Sequence, residues 1–279
     1  MPDAETSAAE DLALLLEAGR EGGTIALSYF GDDPKVWMKE GESPVSEADF
    51  AVDRFLRETL TAARPGYGWL SEETEDDAAR LERRRTFVVD PIDGTRGFIA
   101  GDRRWCVALS VVEGTRPIAG ALVCPALDEE WSAVAGGGAV RNGKPVAVRT
   151  VPHDGAPMVV TGPRSFQTSV IRDGAIAVER APFVPSLAYR IAMVSAGEVH
   201  LALARSSAKD WDLAAADLIL QEAGGRLSDL SGGPCAYNCR DTRHGTLVAS
   251  AADSHPAMLD LARRAVHGAA TPHAKGARP

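Results

Sequence analysis

Between Ser7 and Phe30 the chain sets Leu12, Leu15, Leu16, Ala26, Leu27 and Phe30 at helical spacing, which predicts an amphipathic helix. Gly19, Gly22 and Gly23 fall in its middle and weaken its intrinsic propensity. A second helix is predicted from Ser46 to about Ala63. Ser46-Glu47-Ala48-Asp49 has the form of a capping box, Val52, Phe55, Leu56 and Leu60 follow along one face, and Pro65-Gly66 ends the run. Residues 71–85 are a block of charge, acidic first and basic second, and predict a solvated loop with a short helix. From Thr86 the period shortens. Residues 86–90, 105–112, 117–124 and 130–135 read as strands separated by Gly, Pro and charged turns, an antiparallel run of sheet. Asn142-Gly143 has the composition of a two-residue hairpin turn. Gly136-Gly137-Gly138 has no Lys-Ser/Thr behind it and opens no helix, so it reads as a turn rather than a phosphate loop.

Residues 150–163 are rich in Pro and Gly and mark a candidate boundary. Beyond it the pattern predicts a strand at 158–161, a helix at 186–196, a strand at 199–204 and a helix at 212–223 that Gly224-Gly225 stops. A strand at 246–250 and a helix at 256–267 complete the fold. The expected organisation is an amino-terminal sheet-and-helix half over 1–150, a carboxy-terminal α/β half over 151–267 and a disordered tail over 268–279.

Composition narrows the function classes. At 279 residues, 45% hydrophobic and 25% charged, the chain is long enough for a large core without disulfide or metal staples. Its 30 basic residues against 39 acidic ones give −9, and no basic stripe tracks a phosphate backbone, so nucleic acid and anionic membranes are not expected partners. Four cysteines are too few for a disulfide framework, the first residues carry acids where a secretory signal carries Lys or Arg, and no apolar run is long enough to span a bilayer. A cytoplasmic protein is expected.

The chemistry concentrates in Asp90-Pro91-Ile92-Asp93-Gly94-Thr95, at the end of an apolar strand. Two carboxylates around a Pro-fixed bend can converge with the Ile92 carbonyl on one hard cation, and Gly94-Thr95 opens a helical turn whose free N–H groups suit a phosphate. Read alone, Glu72-Glu73 begins an acidic loop, Asp212 is placed as a helix N-cap, and Asp49 is the acid of a capping box. Cys235, Cys239 and His244 lack a fourth ligand at zinc spacing, and the six histidines form no triad or zinc-protease pattern.

Taken in order, Trp69-Leu70-Ser71-Glu72-Glu73, Asp90 to Thr95 with Phe98 behind it, and Trp211-Asp212-Leu213-Ala214-Ala215 resemble the motifs of the inositol monophosphatase family of magnesium-dependent, lithium-sensitive phosphatases. The resemblance runs over roughly residues 10–265. It implies an α/β layered sandwich of the fructose-1,6-bisphosphatase and inositol monophosphatase type, with helices alternating with two sheets, a homodimer, and two or three Mg²⁺ ions per active site. By the same resemblance Glu72, Asp90 and the Ile92 carbonyl hold one ion and Asp90, Asp93 and Asp212 a second. Thr95, hydrogen-bonded to Asp49, orients the attacking water with Glu72 assisting, and Gly94, Thr95, Arg96 and Ser186 touch the substrate. A silent regulatory protein of the same fold is the alternative from another class, disfavoured because all four metal carboxylates and Thr95 are present.

Subfamily detail points to an anionic substrate. The segment from Lys39 to Asp49 and the stretch Asp90 to Phe98, with Arg96 after the Thr, are closest to 3′(2′),5′-bisphosphate nucleotidases. Arg96 either faces a second phosphate or pairs with a neighbouring acid. Pro185-Ser186-Leu187-Ala188 departs from the inositol-specific pattern, and Arg205 stands near an acidic position that binds sugar hydroxyls. Arg205 with Lys209 is expected to hold a second phosphate, unless Lys209-Asp210 is only a surface ion pair. The expected substrate is therefore 3′-phosphoadenosine 5′-phosphate, ahead of inositol 1-phosphate and histidinol phosphate.

Overall fold

The computed structural model describes residues 6–32, 34–38, 44–152 and 155–269. Most of the tail and residues 39–43 of the Lys39–Asp49 segment lie outside them. Helix α1 (Ala8–Tyr29) and helix α2 (Glu47–Ala63) flank a small hairpin of β1 (Val36–Met38) and β2 (Pro44–Ser46). A seven-stranded sheet follows, ordered along β3 (Gly68–Ser71), β4 (Arg85–Asp93), β5 (Cys106–Glu113), β6 (Arg116–Cys124), β7 (Glu129–Val134), β8 (Ala139–Arg141) and β9 (Lys144–Pro145). It is antiparallel except where β3 runs parallel to β4. Helix α3 (Thr95–Ile99) is a single turn after β4.

The second sheet has the order β11 (Val178–Arg180), β10 (Met158–Thr161), β12 (Leu201–Ala204), β14 (Leu247–Ala251), β13 (Gly225–Asp229). Its helices are α4 (Arg164–Asp173), α5 (Leu187–Ser195), α6 (Asp210–Glu222) and α7 (His255–Ala269). Strands β11 and β13 and helix α4 are absent from the sequence reading.

Alternation along the strands sorts the core into layers. Val107, Leu109 and Val111 of β5 pack with α1 and α2, whereas Cys106 and Ala108 face the cluster that holds α5 and α6. On β12, Ala202 and Ala204 belong to that same central cluster, and Leu201 and Leu203 pack with α4 and α7. The result is five layers, helix, sheet, helix, sheet, helix. Small residues let the central layer close: the Cα of Ala215 on α6 would lie 3.1 Å from a Cβ placed on Gly120 of β6. Gly19 plays the same part for α1, where a Cβ would meet Val123 at 2.8 Å. Of the other glycines that weaken α1 as an isolated helix, Gly23 lies against Pro125 and Val123, and Gly22 lets α1 approach Val52 and Leu56 of α2.

Several local expectations hold in detail. Asn142 and Gly143 both take positive φ, 48° and 71°, as the turn joining β8 to β9 requires, and Gly224 ends α6 with φ 87°. The charge block holds the expected short helix, a 3₁₀ turn over Ala78–Glu82, but differs in its solvation. Arg80 and Arg85 are buried; Arg80 bonds Asp76, Asn238 at 2.7 Å and the Cys239 carbonyl at 2.8 Å, so this loop is tied to the carboxy-terminal half instead of being wholly solvated. Asp212 also differs: it is the third residue of α6, and its carboxylate caps the Lys209 N–H at 2.7 Å.

His255, at the start of α7, is buried with the Ser228 and Ser250 hydroxyls 2.7 and 2.8 Å from its two ring nitrogens. A neutral imidazole, with one donor and one acceptor, satisfies both. Burial, helped by the charge of Arg226, lowers its pKa to about 4 from 6.5. Because the folded value is depressed, the unfolded chain binds the proton first, and stability is lost as pH falls from 6.5 through 4. Thermal melts between pH 7 and 4.5 should show a smaller acid-induced fall in Tm for His255→Gln than for the parent; parallel curves would refute this.

Candidate active site

The site is built where β3 and β4 run side by side. Their parallel pairing sets Ser71 beside Val89, and the Glu72 N–H then bonds the Val89 carbonyl at 3.3 Å, so Glu72 leaves the sheet next to Asp90. The register of β4 against β5 breaks between Asp90 and Asp93, at Pro91-Ile92, which turns the chain. The Ile92 N–H bonds Asp90 at 3.0 Å. Gly94 follows in the left-handed region, φ 97°, and starts α3, whose Phe98 is anchored against Phe30 and Trp105.

Oxygen atoms of Glu72, Asp90 and Asp212 lie within 4.8 Å of one another. Asp90 is buried, and burial followed by the charges of Glu72, Asp93 and Asp212 pushes its carboxyl well above the ordinary range. Burial does the same to Asp212, with Asp93 and Glu72 adding to it. Converging carboxylates of this kind repel one another unless cations stand among them. The donor set is wholly oxygen, which suits a hard divalent ion and not a thiolate or imidazole metal.

Asp93 lines the same cavity but bonds in another direction. Its carboxylate accepts the Ser186 hydroxyl, the Ala188 N–H at 2.7 Å and the Leu187 N–H at 3.2 Å. Ser186 caps α5 and is fully buried. Its one proton is given to Asp93, and its oxygen also accepts from the Tyr189 N–H, so the structure places this candidate substrate contact between Asp93 and the helix.

Thr95 and Asp49 meet as the resemblance implies. The Thr95 hydroxyl lies 3.1 Å from Asp49 Oδ1 and 3.0 Å from the Ile92 carbonyl, while Asp49 Oδ2 accepts both the N–H and the hydroxyl of Ser46, at 2.8 and 2.6 Å. One turn later on α2, Asp53 accepts the hydroxyls of Ser71 and, at 2.7 Å, Thr74. It thereby grips the chain on both sides of Glu72. Sequence reasoning missed it, although Asp49 and Asp53 are four residues apart and share a helix face.

Glu72, Asp90, Ile92, Asp93, Gly94, Thr95, Arg96 and Asp212 all line one cavity of about 210 Å³. Asp212, Phe183 and Pro185 also line a second, of about 900 Å³, whose remaining charged residues are Arg164, Arg180, Arg190 and Arg205. Lys209 does not share that cleft. It faces a third cavity, of about 440 Å³, with Glu72, Trp211 and Thr242, its ammonium 3.3 Å from the Thr242 hydroxyl and 5.5 Å from the Trp211 ring. The two cations read as a pair thus line different cavities: the loop between them reverses at Ser207, φ 97°. Asp210 is not a surface partner of Lys209 either; it is buried against His244 at 2.7 Å and the Asn238 N–H at 2.7 Å.

The model of the inositol monophosphatase family matches residues 8–267. The chain belongs to the inositol monophosphatase family. Its members are phosphatases, and so is this enzyme. Similar chains include an inositol monophosphatase of Dictyostelium discoideum, 31% identical over 78% of this chain and 84% of its own length. A histidinol-phosphatase of Chlorobaculum parvum is 32% identical over 80% and 86%. The 3′(2′),5′-bisphosphate nucleotidase CysQ of Aggregatibacter actinomycetemcomitans is 28% identical over 87% and 91%. In fold the chain resembles the Thermotoga maritima IMPase, TM-score 0.79 at 24% identity, over 93% of this chain and 99% of that one. No helix among the described residues is long and apolar enough to cross a membrane.

Proposed function

We propose that this family member is a Mg²⁺-dependent phosphomonoesterase acting on a small metabolite with a second anionic group, foremost 3′-phosphoadenosine 5′-phosphate, which it converts to AMP. The observation that carries the substrate reading is the charge of the cleft beside the carboxylates: apart from Asp212, its charged residues are four arginines. Such a wall favours a substrate with an anion beyond the scissile phosphate and opposes the ammonium group of histidinol phosphate. Inositol 1-phosphate, neutral outside its one phosphate, gains less from it.

Glu72, Asp90, the Ile92 carbonyl, Asp93 and Asp212 would hold Mg²⁺, which when bound supplies positive charge to the phosphate and acidity to a water. Thr95 does the positioning. With the Ile92 carbonyl committed to the ion, the Thr95 proton would go to Asp49, the Thr95 oxygen would accept a hydrogen bond from the attacking water, and the Thr95–Asp49 pair, with Glu72 assisting, would take up the proton released. Direct attack by water needs no phospho-enzyme. Assembly as a homodimer belongs to the same reading.

The test is phosphate release from the three substrates with Mg²⁺, with Mg²⁺ and Li⁺, and with chelator. The bisphosphate nucleotide should lead in kcat/KM by about tenfold or more, the gain from one added charge contact. Chelator should abolish turnover and Li⁺ reduce it. Release from none of the three would overturn the proposal, and preference for histidinol phosphate would overturn the substrate.

A further inference from the structure

We propose that His244 and Asp210 are a positioning pair: their buried hydrogen bond holds the first turn of α6 so that Asp212 meets Glu72 and Asp90 at the spacing a hard divalent ion needs. The inference rests on the metal-dependent phosphatase reading and deepens it by assigning the residues that set where one ion ligand stands.

Asp210 and Asp212 share a turn of α6 but meet different neighbours. Asp210 is fully buried, with one carboxylate oxygen 2.7 Å from His244 Nε2 and the other accepting the Asn238 N–H at 2.7 Å. With Nε2–H as the donor, both oxygens of Asp210 are satisfied. Main-chain bonds run alongside. The Ser207 N–H bonds the His244 carbonyl at 2.9 Å, the His244 N–H bonds the Ala208 carbonyl at 2.8 Å, and the Asp210 N–H bonds the Thr242 carbonyl at 3.0 Å. The segment that reverses at Ser207 and delivers Asp212 is therefore laced to the loop between β13 and β14 by the time α6 begins.

The same loop reaches the chain that carries Glu72. Asn238 gives its N–H to Asp210, and its side-chain oxygen accepts from Arg80 at 2.7 Å; a second Arg80 nitrogen bonds the Cys239 carbonyl at 2.8 Å. Arg80 belongs to the segment that runs on from Glu72 to β4. Two turns along α6 from Asp210, on the same helix face, buried Asp217 accepts the Tyr237 hydroxyl at 2.8 Å, and the Tyr237 ring lies 5.4 Å from that of His244. Residues 237–244 thus bind α6 at two points and the segment after Glu72 at a third.

Repulsion makes such a brace necessary. The charges of Asp93 and Glu72 bear on Asp212, whose carboxylate accepts the Lys209 N–H at 2.7 Å from its own helix end. Asp93 is held by the start of α5, and the chain around Glu72 by Asp53. Asp210 and His244 supply the matching restraint for Asp212. A buried charged pair is weak evidence of stabilisation in itself. One that fixes where a ligand stands acts instead on the affinity for the ion, as groups behind metal ligands do.

The test is the Mg²⁺ dependence of phosphate release from the best of the three substrates, beside calorimetric titration with Ca²⁺, which needs no turnover. His244→Phe keeps a ring against Tyr237 and removes the bond to Asp210, whereas His244→Gln can restore a donor near the place of Nε2 without the ring. His244→Phe should raise the Mg²⁺ concentration for half-maximal activity, and the Ca²⁺ dissociation constant, by about tenfold, the lower end of the range for groups that orient metal ligands. Its kcat and KM at saturating Mg²⁺ should stay within about threefold of the parent, and His244→Gln should bring both ion affinities back to within about threefold. Asp210→Ala reads the same bond from its other end, with the same tenfold loss expected, and decides the matter if His244→Phe does not fold. A His244→Phe protein that melts lower yet needs no more ion than the parent, or a His244→Gln protein as impaired as His244→Phe, would overturn the positioning role and leave the metal-dependent reading standing. A parent that binds no Ca²⁺ and releases phosphate without Mg²⁺ would defeat that reading, and the pair with it.

Discussion

Asp90→Asn should abolish hydrolysis while making the metal-free protein more stable. Asp90 is the buried member of the Glu72, Asp90, Asp212 cluster, and Asp93 and Asp49 add their charge to its surroundings. An amide keeps the shape and still accepts the Ile92 N–H, but it removes the charge that a divalent ion needs. A loss of about 10³-fold in turnover is expected, the scale for removing preorganised charge at a phosphoryl centre. In the absence of metal the sign reverses. Each ionised carboxylate raises the cost of its neighbours, so deleting one relieves the folded state, and Tm should rise by about 3 °C, roughly 1 kcal/mol for a chain of this size. Adding Mg²⁺ should raise Tm for the parent and leave the variant nearly unmoved. Scanning calorimetry with and without Mg²⁺, beside phosphate release, reads all three effects. A variant that keeps a tenth of the activity, or that melts lower than the parent without metal, would remove Asp90 from the ion-binding role.

Local signals carried far in this chain, and their limits are instructive. Helices α1 and α2, the strands around the Asp90 turn, and the turns at Asn142-Gly143 and Gly224 follow from periodicity and backbone chemistry that lie within a few residues. The convergence of Glu72 with Asp90 and Asp212 does not, because it depends on the parallel pairing of β3 with β4 and on α6 packing across the sheet; only the joint order of motifs pointed to it. Arg190 was invisible for a related reason. Within Leu187 to Ser195 it is one cation among apolar residues, and nothing local says whether such a residue faces water or a cleft. Arg205 and Lys209, four residues apart, looked like partners, yet a reversed backbone at Ser207 sends them to separate cavities. The charge block at 71–85 hid Arg80 in the same way, since its partners Asn238 and Cys239 come from the far end of the chain.

The site also depends on a contact that has no charge at all. Gly94 sits at φ 97°, ψ 31°, where a side chain is strained, and a Cβ there would stand 3.0 Å from the Ser186 N and 3.2 Å from its Cα and Cβ. Ser186 begins the turn of α5 that gives Asp93 its three hydrogen bonds. Gly94→Ala must therefore either push α5 away from Asp93 or tilt the turn that carries Asp93 and Thr95. Strain alone costs about 1–2 kcal/mol, and displacement of reacting groups by the order of 1 Å costs about 10²-fold in rate. The variant should lose both, with a Tm lower by several degrees and kcat/KM down by about 10²-fold. Gly101→Ala separates the two causes. Gly101 has a similar φ, 75°, but a Cβ there meets nothing within 4 Å, so this variant bears the strain without the contact. It should melt lower by a comparable strain contribution and keep its kcat/KM within about threefold. If Gly101→Ala loses activity as Gly94→Ala does, backbone strain near the turn is the cause and the close approach of Ser186 is not; if Gly94→Ala keeps full activity, α5 does not hold Asp93 in the working geometry.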